Sequence, residues 1–454
     1  MGLYNAKKLV AIIGAVLLVF VTSACGSSEQ SAGSGQTLKV IYSKNGTNDP
    51  VGKWLKKVEQ QFEEQHANVD VNVVPVKGAE GTFTSKKALM LQSEETTPDV
   101  ITEDTYLINS DAAAGYLAPI EDRVKKWDGW DHFIKKVKQG VTASDGKIYG
   151  VPYSTDTRGL WYDVNLFEKA GLPVPWHPKN WQDVLNAAQK IKQSFPDVIP
   201  FWMNSGKATG EATTMQTFEM LLYGTNNTLY DEESGKWIVK SPGFLDSLKF
   251  IDTIYEKGLG PKLSQVLTGQ AGTVEHHLMR KEKIAIALDG NWVPAFWREN
   301  GPNPWPEAME TYHFAAMPTQ HGQGEGHTSM SGGWALSIPA KSDQKDLAWE
   351  FIKLATNKEN MMFADISMGN LPARKDVEEA PEYEKALGRA YKKAAQFLKF
   401  THYRPTFEGY TSVSSAIQAA VEAVATDSLE PKAAMNQYAK DVKRAVGADN
   451  VVTK

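Results

Sequence analysis

A two-lobed α/β fold is what this chain predicts, on three observations. Residues 38–102 alternate between valine- and isoleucine-rich runs of strand length and stretches with helical apolar spacing. The same alternation restarts after Gly150-Val151-Pro152. Residues 25–454, which remain once an N-terminal leader is set aside, are too many for one ordinary domain and comfortable for two.

In the first unit, residues 38–42, with Val40 and Ile41, read as a buried strand. Asn48-Asp49-Pro50 then offers a helix cap with proline at the first helical position. Behind it Val51, Trp54, Leu55, Val58 and Phe62 recur at three- and four-residue steps and give the helix one apolar face. Residues 69–76 are valine-rich and form the next strand, 85–92 a helix and 99–102 a third strand. Strand, helix, strand, helix, strand implies a mainly parallel sheet covered by helices. Ligands of such sheets bind beyond the carboxyl ends of the strands. Those loops here are 43–47 and 103–106, whose plainer reading is a solvated turn.

The second unit repeats the pattern with a strand at 160–162, a helix at 166–170 stopped by Gly171, and a helix at 181–193. Amphipathic stretches recur at 242–257, 346–354 and 383–397, and the chain beyond Met368 is helical in pattern.

The N-terminus has a separate logic. Lys7 and Lys8 precede an apolar run over 9–21, and small residues Ser23 and Ala24 follow, which is the layout of an export signal occupying 1–24. The apolar run is shorter than the roughly 20 residues a spanning helix needs. Cys25 is the chain's one cysteine, so it has no partner for an internal disulfide, and covalent lipid is its expected role. The segment resembles a bacterial lipoprotein signal, with Thr22 where an aliphatic residue is usual. Residues 25–36 are rich in serine and glycine and read as a flexible tether. The net charge of −5 argues against nucleic-acid partners, which call for a basic surface.

Further along, Asp145-Gly146-Lys147-Ile148-Tyr149-Gly150-Val151-Pro152-Tyr153, with Asp156-Thr157-Arg158 and Leu160-Trp161-Tyr162 after it, resembles the inter-lobe crossover of extracellular solute-binding proteins family 1, the carbohydrate receptors of ABC importers. Ala170-Gly171-Leu172-Pro173 with Trp181, the Leu288-Asp289-Gly290-Asn291-Trp292 block, and Gly332-Gly333-Trp334-Ala335-Leu336-Ser337-Ile338-Pro339 with Trp349-Glu350-Phe351-Ile352 are similar to further blocks of that family, in the same order.

The resemblance implies a periplasmic-binding-protein-like fold of two discontinuous α/β lobes with a ligand cleft between them. The N-terminal lobe would be 37–151 with 331–366, and the C-terminal lobe 152–330 with 367–454. It also implies an exported receptor, held at the outer face of the cell membrane by lipid on Cys25, that acts as a monomer and delivers a carbohydrate, expected to be an oligosaccharide, to membrane permease subunits. No enzymatic activity, cofactor, metal or nucleic acid is expected.

Sugars offer hydroxyls around the ring and apolar faces above and below it, so a site needs planar polar groups and aromatic platforms. The positions matching family contacts are Asp104 and Tyr106 after the third strand, Asp156 and Arg158 after the first crossover, Trp292, and Gly333 with Trp334 at the second crossover. Lys44, Asn45, Trp202, Glu211, Arg374 and Arg404 form a second tier. Each has a plainer reading: Asp156 with Arg158 as a hinge salt bridge, Asp104 as a helix cap, and the tryptophans as core.

Two alternatives stand beside the receptor. A surface glycoside hydrolase needs only two carboxylates about 5 to 10 Å apart. A binding protein for a non-sugar solute such as a glycerol phosphate ester is the other, and Arg158 keeps an acidic ligand open. The glycine-rich run with His321, Glu325 and His327 carries potential metal ligands but reads as an exposed polar loop. His276 and His277, adjacent on a helix, would point apart.

Overall fold

The computed structural model describes residues 35–44, 49–78, 80–299 and 301–454. The leader 1–24, Cys25, most of the tether and Asn45 lie outside the described residues. No helix among the described residues is long and apolar enough to cross a membrane.

Two sheets organise the chain. Their strands are β1 (Gln36–Lys44), β2 (Val69–Lys77), β3 (Val100–Asp104), β4 (Val151–Pro152), β5 (Arg158–Asp163), β6 (Ile199–Trp202), β7 (Ile284–Gly290), β8 (Tyr312–Ala315) and β9 (Trp334–Ser337). The first sheet has the order β2-β1-β3-β9-β4. β1 runs parallel to both β2 and β3, as expected of strands joined by helices, and β9 runs antiparallel to β3 and β4. β1 begins at Gln36, the last residue assigned to the tether.

The helix Pro50–Gln65 forms where its cap and period place it. Asp49 accepts from the Gly52 amide at 2.9 Å and Pro50 fills the first position, where a missing N–H costs nothing. Trp54, Leu55, Val58 and Phe62 are buried against Phe351 and its neighbours on the helix Lys345–Ala355. The second helix, Glu80–Met90, starts earlier than 85, and the third strand reaches Asp104.

The second sheet has the order β8-β5-β7-β6. It departs from the expected parallel repeat, because β5 runs antiparallel to both β8 and β7. β5 follows the crossing strand β4 with no helix between them, so the crossing sets its direction rather than a strand-helix-strand unit. β7 and β6 are parallel.

The stretch 383–397 is not one helix. It divides into Pro381–Leu387 and Arg389–Gln396 at Gly388, whose φ of 75° a helix interior does not allow. The tail also supplies two short strands to small sheets, Thr401–Tyr403 beside His327–Ser331 and Val451–Thr453 beside Lys236–Lys240.

Three segments of chain run side by side where the lobes join. Tyr153 N donates to Trp334 O at 2.8 Å, and Thr155 and Leu371 exchange both backbone bonds at 2.9 and 3.0 Å. This triple crossing is the floor of the site.

Candidate functional site

Above the crossing lies a cavity of about 510 Å³, a volume suited to a small ligand. Three groups of polar side chains enter it, each from distant parts of the sequence.

The first centres on Arg404, which follows the strand Thr401–Tyr403. Its guanidinium bonds Asp104 at the end of β3 at 2.5 Å and Glu211 at 3.2 Å, and lies 4.4 Å from the Tyr106 ring centre. Tyr410 and Ser414, on the helix Tyr410–Ala425, donate to Glu211. Burial pushes the Asp104 carboxyl up, against the opposing pull of Arg404. Glu211 stands at the entrance to Ala212–Glu219, which is wound as a π-helix. That rare winding, frequent at functional sites, brings Met215 and Gln216 to the cavity as well.

The second group is Asp156 and Arg158. They bond each other, Arg158 also donates to Met330 O at 3.2 Å, and Asp156 accepts from the Gly332 amide at 2.8 Å. The Arg158 guanidinium sits 4.8 Å from the centre of the Trp292 ring. So the salt-bridge reading of this pair holds, and the pair lines the cavity too.

The third group is Glu275, His276 and Asp289. His276 Nε2 lies 3.2 Å from Asp289 Oδ2, and the Gly290 amide donates to Asp289 Oδ1 at 2.7 Å. Burial, followed by the charge of Asp289, holds the Glu275 carboxyl well above the usual carboxylate range. The sequence reading missed this group. A faint signal was present: Ala271, Glu275 and Met279 are spaced by four, which puts a carboxylate on the buried helix face. His276 is buried and His277 exposed, so the two do point apart.

Of the residues expected at a site, Asp104, Asp156, Arg158, Glu211, Trp292, Gly333, Trp334 and Arg404 line the cavity. Gly333 has a reason to be glycine, since a Cβ there would meet the Ser154 carbonyl oxygen at 2.4 Å.

Four expected residues stand elsewhere. Tyr106 packs against Arg404 and does not reach the cavity. Trp202, at the end of β6, is fully buried in the core and does not line the cavity, its indole standing behind the Glu275 carboxyl. Arg374 is buried over the Phe133 ring, bonded to Asp376 at 2.7 Å and to Thr356 O at 3.1 Å, so its donors are spent within the fold. Lys44 is drawn to Asp49 at 2.7 Å, beside the helix cap. His321 and Glu325 are exposed, and His327 faces Phe400.

Known proteins carry the same architecture. The family model for bacterial extracellular solute-binding proteins matches residues 45–362. A solute-binding protein of an ABC transporter from Thermotoga lettingae TMO, solved with alpha-D-tagatose bound, superposes with a TM-score of 0.77 at 26% identity, over 91% of this chain and 100% of that one. The maltodextrin-binding protein of Bacillus subtilis (strain 168) is 24% identical over 82% of this chain and 83% of its own. The arabinooligosaccharide-binding protein of the same organism is 22% identical over 76% of this chain and 75% of its own.

Proposed function

Because the chain belongs to the family of bacterial extracellular solute-binding proteins, we propose that it captures a neutral oligosaccharide and hands it to the permease of an ABC importer. One observation carries the word neutral. Five carboxylates line the cavity, those of Asp104, Asp156, Glu211, Glu275 and Asp289, against two guanidiniums, Arg158 and Arg404. Both guanidiniums are already bonded to carboxylates. An anionic sugar or a phosphate ester would find both guanidiniums already engaged and carboxyls beside them, at a cost in affinity. Carboxylates that accept hydroxyl protons, beside half-buried Trp292 and Trp334, suit a neutral sugar ring.

Capture proceeds by hinge closure about the crossings near Val151 and Ser331, with ligand favouring the closed arrangement because both lobes contribute polar groups. The ligand leaves chemically intact. Lipid on Cys25 keeps the receptor, acting as a monomer, close to its permease on the outer face of the membrane. An exported receptor gains from such a tether because a single chain of lipid binds only marginally while several anchor stably.

A thermal-shift screen of neutral mono- and oligosaccharides, uronic acids and glycerol 3-phosphate tests this reading. A neutral sugar at about 100 times its Kd should stabilise the fold by about 2.7 kcal/mol. A response confined to uronates or the phosphate ester would overturn it, as would recovery of a hydrolysed sugar. Mass spectrometry of the mature N-terminus checks the anchor separately.

A further inference from the structure

We propose that Glu275, His276 and Asp289 form a site for one divalent transition-metal ion of the zinc class, set in the cavity wall. The expectation from sequence was no metal at all. Four observations lead to the site, and none of them depends on the sugar reading.

First, the three side chains converge. One ligand atom from each lies within 4.8 Å of the others, and this is the one such grouping of His, Cys, Asp and Glu among the described residues. All three line the cavity, so an ion there could be reached from it.

Second, the group contains buried polar atoms without a well-formed bond. His276 Nδ1 has no hydrogen-bond partner although His276 is 4% exposed, and Glu275, 1% exposed, has the Trp202 indole beside it while its Oε1 makes no well-formed bond. Polar atoms buried this deeply are normally satisfied, and an unsatisfied one calls for an explanation such as an ion.

Third, two of the ligand atoms already stand at a ligating separation. His276 Nε2 and Asp289 Oδ2 are 3.2 Å apart, close to the spacing of two donors on one tetrahedral ion with bonds of about 2 Å. Asp289 is itself fixed by the Gly290 amide, and the imidazole packs 4.0 Å from Phe296.

Fourth, charge and donor chemistry agree. The other cavity carboxylates, Asp104, Asp156 and Glu211, each have a guanidinium partner. Among the described residues Asp289 has the His276 imidazole as its one ion partner, and Glu275, beside the Trp202 indole, has none. One imidazole nitrogen with two carboxylate oxygens suits zinc-class ions, whereas calcium and magnesium take oxygen ligands alone. Three protein ligands leave a position open towards the cavity, where a water or a ligand hydroxyl would complete the shell.

The test is a titration of the full chain, stripped with chelator and free of sugar, with Zn²⁺ by calorimetry and with Co²⁺ by visible absorption. One saturable equivalent is expected, with d–d bands from Co²⁺. Asp289→Asn should weaken binding by at least about 10-fold, because it removes one of three ligand carboxylates or imidazoles. Glu275→Gln and His276→Ala should weaken it at least as much, and His327→Ala should leave it unchanged. Circular dichroism confirms that each variant is folded. The wild-type stoichiometry and cobalt spectrum stand even where a variant is not. No saturable equivalent in the wild type, or an equivalent lost in His327→Ala and kept in His276→Ala, would overturn the site. Because no sugar is present, failure here leaves the receptor standing, and failure of the sugar screen leaves the metal site standing.

Discussion

Asp104 and Arg404, 300 positions apart in the chain, meet at 2.5 Å. Asp104 ends a strand of the first sheet, and Arg404 follows a short strand of the C-terminal tail, so the bond ties separate parts of the fold across the cavity wall. Glu211 completes the group from a third region.

Removing the cation should therefore be costly. Arg404→Met leaves two buried carboxylates facing each other, and a loss of about 3 to 5 kcal/mol is expected in urea unfolding. Adding Asp104→Asn should recover part of that loss, because the two substitutions act on one network. Additive effects would show that the group is not coupled.

The crossing has no room for a side chain at Gly333. With a Cβ placed 2.4 Å from the Ser154 carbonyl oxygen, Gly333→Ala must push the two crossing segments apart. A destabilisation of about 1 to 3 kcal/mol is expected, read as a lowered urea midpoint.

Trp292 and Trp202 should behave differently. Trp292 faces the cavity, so Trp292→Ala should weaken sugar binding by about 3- to 10-fold in calorimetry, the worth of one aromatic contact. Trp202 lies in the core, so Trp202→Phe should change stability more than affinity. Equal losses of affinity would contradict this placement.

Glu219 gives the stability a pH dependence. Its carboxyl is pushed up to about 8, first by burial and then by the charge of Glu211, against an ordinary value of 4.5. Between those values the folded state keeps a proton that the unfolded state has released. Stability from this group is thus fully present below about pH 4.5 and falls as pH rises to about 8. Glu219→Gln lacks that slope, so its stability relative to wild type should improve from pH 5 to pH 8, as measured by chemical denaturation.

The helix Pro50–Gln65 and the first three strands were legible because their signals are local. A capping aspartate, a proline in the first turn and a four-residue apolar step act over one or two turns of chain. The split at Gly388 shows the limit of that reading. A helical period can run on in the sequence while one glycine adopts a backbone angle that ends the helix. The direction of β5 shows another limit, since it follows from how the chain crosses between lobes.

Sequence by itself determined the order of strands and helices in the first unit, the two-lobed α/β class and the family, all of which rest on local periodicity or on ordered blocks of neighbouring residues. Tertiary structure alone decided which polar groups share the cavity. Arg374 and Arg404 are the same residue type, yet one is spent on Asp376 and Thr356 while the other joins Asp104 and Glu211. Glu275 and Asp289 become neighbours only when a helix packs on β7. Pairings over such separations depend on packing and on the cost of burying charge, which no local pattern records.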